Sequence, residues 1–153
     1  TGIVSFGEKS PGRTGMLVTR DSPRAPVSES YRGLRTAVTF ANVDKPARTI
    51  AVTSANPGEG KSITASNLAV VMAQAGRRVL LIDLDPQAHA SLHAGVDLDT
   101  EEPSIYDVLT GDASLEEVRR QVAENFWVVP SDLDLAAAEV SPTTVAGSIA
   151  GER

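Results

Sequence analysis

Thr53-Ser54-Ala55-Asn56-Pro57-Gly58-Glu59-Gly60-Lys61-Ser62 follows the apolar triplet Ile50-Ala51-Val52 and opens a helix-forming run from Lys61 to Gln74. Gly58 and Gly60 let the backbone turn its N–H groups inward with no Cβ in the way. A helix starting at Lys61 aims the positive end of its dipole at the same point. The product is an anion cradle, with Asn56, Pro57, Gly58, Glu59, Gly60, Lys61, Ser62 and Ile63 as candidate phosphate-binding residues. The strict phosphate-loop pattern is met at Gly60-Lys61-Ser62 but carries Ala55 in place of its first glycine. Lys61 is placed to reach the β- and γ-phosphates, and the Ser62 hydroxyl to ligate Mg²⁺. The implied ligand is ATP with magnesium. A glycine-rich turn can also be a plain bend, but one lying between an apolar strand and a helix favours the nucleotide.

A second constellation follows at Leu80-Leu81-Ile82-Asp83-Leu84-Asp85. It sets two carboxylates at the C-terminal end of an apolar strand, where open α/β sheets bind ligands. Asp83 is the candidate metal-side carboxylate, together with Ser62, and Asp85 the group that positions a nucleophile. Lys61, Asp83 and Asp85 are thus the candidate catalytic residues. Two solvated loop aspartates are the plain alternative; the phosphate loop on the preceding strand tips the balance.

Outward from these motifs, strands are expected at 50–52, 79–82 and 126–129, the first two buried on both faces of a parallel sheet. Helices are expected from Ser28, acting as N-cap, to about Ala41, then at 61–74 with Gly76 as C-cap, 105–109, 115–122 and 133–140. Asn42 to Ala47 breaks the first of these helices, and Ser54 to Gly60 is a turn. Residues 1–26, punctuated by Pro11, Pro23 and Pro26, read as a strand-like start (Ile3 to Phe6) and a linker. That leaves 27–153 as the nucleotide-binding domain. The expected fold is a three-layer α/β phosphate-loop sandwich with a mostly parallel sheet and right-handed crossovers.

The bulk numbers narrow the classes. With 153 residues the chain can bury one modest core, and 41% hydrophobic with 22% charged residues is ordinary for a globular domain. Aromatics at 4% and a net charge of -6 argue against a nucleic-acid-binding surface spread over the domain. Cysteine is absent, which excludes disulfides, thiol catalysis and cysteine-based zinc sites. No apolar run reaches the roughly 18 residues of a membrane span, and no signal peptide is seen. A first residue other than Met and a small-residue tail are expected of a fragment.

TSANPGEGKS followed by LLIDLD resembles the deviant Walker ATPases, which include bacterial tyrosine kinases, partition ATPases and septum-site ATPases. Residues 2–82 are similar to the cytoplasmic kinase domain of exopolysaccharide export. SPRAPVSESYRGLRTAVTF carries that family's Glu-x-x-Arg-x-x-Arg motif as Glu29, Arg32 and Arg35. These three span roughly 120° of a helix and share one face. The resemblance implies that the face docks on a neighbouring subunit of a homo-oligomer. The plain alternative is a solvated face with intrahelical pairs such as Glu29 with Arg32.

Residues 80–140 resemble partition ATPases instead, through LLIDLDPQ, SIYDVLTGDASLEEVRR and VVPSDLDLAAAEV. Pro86-Gln87 is the partition form of that stretch, whereas Asn56 stands where partition proteins carry a lysine that crosses their dimer. No later strand ending in a Walker B aspartate is found, and the kinases' tyrosine cluster is missing, the two tyrosines being Tyr31 and Tyr106.

The resemblance implies phosphoryl transfer from Mg-ATP to protein tyrosine, with a membrane-anchored polysaccharide co-polymerase as partner and a cytoplasmic site at the inner membrane face. The alternatives are a partition-type ATPase switch, under which DNA becomes a partner, and a module that binds nucleotide without turnover.

Overall fold

A computed structural model describes residues 17–41, 47–56, 58–96 and 102–136. In chain order the elements are α1 (Val18–Asp21), α2 (Pro26–Phe40), α3 (Lys61–Gln74), β1 (Val79–Ile82), α4 (His89–Ala94), α5 (Ile105–Thr110), α6 (Leu115–Val118), β2 (Arg120–Ala123) and β3 (Phe126–Val129).

α3 is the central helix. It starts from Gly60 in the left-handed region, at φ 86°, and its buried residues run from Ser66 to Val71 with Ala73. Its end is a Schellman motif. Ala75 is the C-cap, and Gly76 lies one residue beyond it at φ 79°. There Gly76 N–H bonds to Ala73 O at 2.9 Å and Arg77 N–H to Met72 O at 3.1 Å. Gly76 therefore ends the helix as expected, one place later than a C-cap.

The sheet order is β1-β3-β2. β1 pairs with β3 in parallel, Val79 opposite Phe126 and Ile82 opposite Val129. β2 pairs with β3 antiparallel, with a register shift between Gln121 and Ala123. The described sheet is thus mixed rather than mostly parallel. Residues 115–122, expected as one helix, split into α6 and β2. Ser114 starts α6 with a full capping box to Glu117. Arg119 then turns extended at φ -62°, ψ 137°. A tight turn with Asn125 at φ 60°, a conformation asparagine tolerates, joins β2 to β3. Hairpin pairing overrides local helix propensity here.

Alternation decides the two faces. Phe126 and Val128 are fully buried in a cluster with Leu17, Ala69, Val70, Ala73, Ala94 and Val96, which is the α3 side. Val129 turns the other way, into a smaller cluster with Ile105, Val118 and Leu135 beneath α5 and α6. That second cover stops short of β1. Leu80 is 39% and Ile82 43% exposed, so β1 is half-buried on one face, through Val79 and Leu81, and open on the other. The expected strand at Ile50–Val52 is also absent, and Ile50 is 41% exposed. A strand exists only through a hydrogen-bonded neighbour, and β1 pairs only with β3 among the described residues.

The segment expected as linker packs where it is described. Leu17 and Thr19 are fully buried, and Thr19 donates to Asn67 Oδ1 on α3 from its N–H at 3.1 Å and its hydroxyl at 2.8 Å. α2 begins at Pro26 with Ala25 as N-cap, so Ser28 is not the cap. Proline suits the first helical position because its missing N–H would be unpaired there anyway. Ser28 is buried instead, and its hydroxyl donates to Ser22 O at 2.8 Å. The expected helix from Leu133 opens as a turn, Ala136 N–H to Leu133 O at 3.1 Å; residues 137–140 and the strand-like start at Ile3 to Phe6 lie outside the described residues.

Candidate functional site

The phosphate loop is shaped by its glycines. Gly58 and Gly60 sit at φ 78° and 86°, and a Cβ built on either would meet nothing within 4 Å. The constraint there is conformational, and the space beside both glycines is open. Pro57 lies outside the described residues. Lys61, the first residue of α3, folds its ammonium over the loop, with Nζ 2.9 Å from Ser54 Oγ and 3.0 Å from Asn56 O. Glu59 braces the same turn by accepting from Asn56 Nδ2 at 2.8 Å and Asn56 N at 3.3 Å. Those bonds, first the one from the Asn56 side chain, hold the Glu59 carboxyl below its ordinary value, with Lys61 adding a smaller push in the same direction. Ser62 and Ile63 follow, half-buried, in the first turn of α3.

The two aspartates after β1 differ in setting. Asp83 is 3% exposed. Its Oδ2 accepts from Ser91 N at 2.8 Å and Ser91 Oγ at 2.7 Å, and its Oδ1 accepts from Asp85 N at 3.1 Å. Three donors fill most of the roughly four acceptor positions of a carboxylate. Asp83 therefore ties the end of β1 to α4. Asp85 is the open one: Oδ1 accepts from Gln87 N at 3.1 Å and Oδ2 lies 2.8 Å from His89 Nδ1. Burial raises the Asp85 carboxyl, but the bonds to His89 and Gln87 and the charges of His89 and Lys61 outweigh it, and the net shift is downward. Lys61 is one of the charges that act on Asp85, so the loop lysine and the aspartate turn are electrostatically coupled.

Ser91 and His89 were not singled out from the sequence. A signal was there: His89 stands four residues after Asp85, the spacing of one helical turn. The second histidine of α4 faces inward, and its Nδ1 is buried without a hydrogen-bond partner. Burial, then the charge of His89, lowers the His93 pKa from 6.5 against an opposing pull from Asp83. A lowered folded pKa means the unfolded chain takes up the proton first. Stability is therefore expected to hold above about pH 6.5 and to fall as pH drops through the lowered value. Thermal melts from pH 7.5 to 5 should show a smaller acid-side loss in His93→Leu than in the parent; equal losses would refute this.

Of the expected docking residues, Glu29 and Arg32 form an intrahelical ion pair on α2. Arg32 also donates to Pro23 O, and Arg35 reaches Val71 O on α3 at 3.4 Å. Among the described residues no helix is long and apolar enough to cross a membrane.

A family model described as an AAA domain matches residues 47–148. Tyrosine-protein kinase YwqD of Bacillus subtilis is 49% identical over 78 residues, covering 49% of this chain and 33% of that protein. The sporulation initiation inhibitor protein Soj, also of Bacillus subtilis, is 38% identical over 92 residues, 60% of this chain and 36% of that protein. Among solved structures, the chimerical protein CapA2B2 aligns with a TM-score of 0.68 at 29% identity, covering 78% of this chain and 52% of that one. Cobyrinic acid a,c-diamide synthase from Mycobacterium smegmatis, with bound ATP analog and magnesium, aligns at 0.57 with 33% identity over 62% of this chain and 39% of that one. The chain spans about a third of the length of these curated relatives.

Proposed function

The chain belongs to the AAA-domain family of P-loop proteins, and from that premise we propose that it is the ATP-binding part of a bacterial tyrosine-kinase-like protein of exopolysaccharide export. The observation that carries this is the open glycine cradle at Gly58 and Gly60, with Lys61 above it and Asp85 within reach of the lysine's charge. The 49% identity with a tyrosine-protein kinase supports the choice of reaction.

ATP is the substrate. Loop amides and Lys61 neutralise its phosphates, and Asp85 positions the acceptor hydroxyl. Positioning and charge stabilisation carry most of the rate in such transfers. Magnesium would be held by the Ser62 hydroxyl, with the one acceptor position that Asp83 has left beside its bonds to Ser91 and Asp85 N–H. When bound, the ion neutralises charge on the transferred phosphoryl group.

The test is product identity. With γ-labelled ATP, a kinase puts label on protein tyrosine. A partition-type switch, which Pro86-Gln87 and the 38% identity with Soj favour, releases phosphate to water and responds to DNA. Nucleotide binding with neither product would refute both and leave a non-hydrolysing module.

The kinase reading also carries a homo-oligomer docked through Glu29, Arg32 and Arg35, at the cytoplasmic face of a membrane and beside a polysaccharide co-polymerase. Arg32→Ala with Arg35→Ala is expected to lower the light-scattering mass while leaving nucleotide affinity unchanged. An unaltered mass would count against that interface.

A further inference from the structure

We propose that His89, oriented by Asp85, is the group that takes the proton from the phosphoryl-accepting hydroxyl. This rests on the reading of the chain as a phosphoryl-transfer site. Four observations converge on it. His89 Nδ1 lies 2.8 Å from Asp85 Oδ2, so carboxylate and imidazole form one unit. The unit joins the turn after β1 to the first residue of α4, a helix that packs on α3, and His89 is the more open partner at 56% exposed against 37% for Asp85. Asp83 is committed to Ser91 and the Asp85 N–H. His93, the other imidazole on α4, has its Nδ1 buried.

Asp85 is already engaged through both carboxylate oxygens, Oδ1 with Gln87 N and Oδ2 with His89 Nδ1. A general base works best when its own protonation lies near the working pH, which imidazoles satisfy and ionised aspartates do not. A carboxylate so placed is well suited to holding Nδ1–H and so exposing the Nε2 lone pair. That division of labour is the one found in aspartate–histidine pairs of hydrolases.

The step balances as follows. The acceptor O–H gives its proton to Nε2, while Nδ1–H stays donated to Asp85. The oxygen forms its bond to the γ-phosphorus as the bond to the bridging oxygen breaks, and ADP leaves with that electron pair. The imidazolium then returns its proton to solvent. Among the described groups, Asp85 in the turn bonds His89 directly and His93 one turn along α4 feels its charge, while Lys61 acts on Asp85 and Asp83 on His93.

A surface ion pair at helical spacing could also be merely structural and worth little. The experiment separates the two. Mg-ATP affinity by calorimetry, turnover against pH and imidazole nitrogen NMR are measured on the full chain and on His89→Gln. Affinity should stay within about twofold, kcat should fall by about 10²–10⁴, and the acidic limb of the pH–rate profile should vanish. NMR of the parent should show the Nδ1-protonated tautomer, lost in Asp85→Asn. A His89→Gln variant that keeps its kcat or its acidic limb, or an Nε2-protonated His89 in the parent, would overturn the assignment while leaving the functional reading intact. A parent that binds Mg-ATP and forms neither labelled protein nor phosphate would overturn both.

Discussion

Lys61→Ala is expected to remove measurable Mg-ATP binding while leaving the fold intact. The ammonium is already held over the loop by Ser54 Oγ and Asn56 O, so a phosphate entering the cradle meets a positioned charge. One such contact at about 4 Å is worth roughly 4 kcal/mol at an effective dielectric of about 20. That corresponds to close to a thousandfold in affinity. Alanine is the better helix former, so the start of α3 should not melt. Calorimetry reads the affinity, and circular dichroism checks the helix content. An unchanged Kd would sink the nucleotide assignment.

Asn67→Ala should give the largest loss of stability. Asn67 is fully buried, as is Thr19. Its Oδ1 accepts both the Thr19 N–H and the Thr19 hydroxyl, and its Nδ2 donates to Ile63 O at 2.9 Å. The truncation leaves two buried donors of Thr19 without this acceptor. Each such loss costs about 1–3 kcal/mol, so about 2–6 kcal/mol in total, against the roughly 5–15 kcal/mol typical of a whole domain. Urea unfolding should show the midpoint falling with little change in slope. Faster protease cleavage between α1 and α2 would place the damage at the α1–α3 junction. A midpoint within experimental error of the parent would refute the anchoring role.

Asn67 also shows why part of the site could not be read along the chain. Its polarity marks it as unusual inside an apolar helix, but nothing local names Thr19, 48 residues away, as its partner. Ser91 is similar: its bonds to Asp83 exist because α4 folds back against the end of β1. His89 is intermediate, since four-residue spacing from Asp85 is visible once a helix start is placed there. Lys61, Gly58 and Gly60 needed no such help, because each acts through its own backbone or through neighbours a few residues away.

Taken alone, the sequence determined the cradle, α3, β1, β3 and α5, since glycine conformation, apolar runs and helix starts are set within a turn or two of chain. It also carried the family likeness in both halves. Tertiary structure alone decided that β2 is a strand, that Ile50–Val52 is not, and that β1 is open on one face. Those outcomes depend on hydrogen-bond partners and covering helices brought from far along the chain, and no local pattern records whether such a partner arrives. The same long-range packing couples Lys61 electrostatically to Asp85, which His89 bonds.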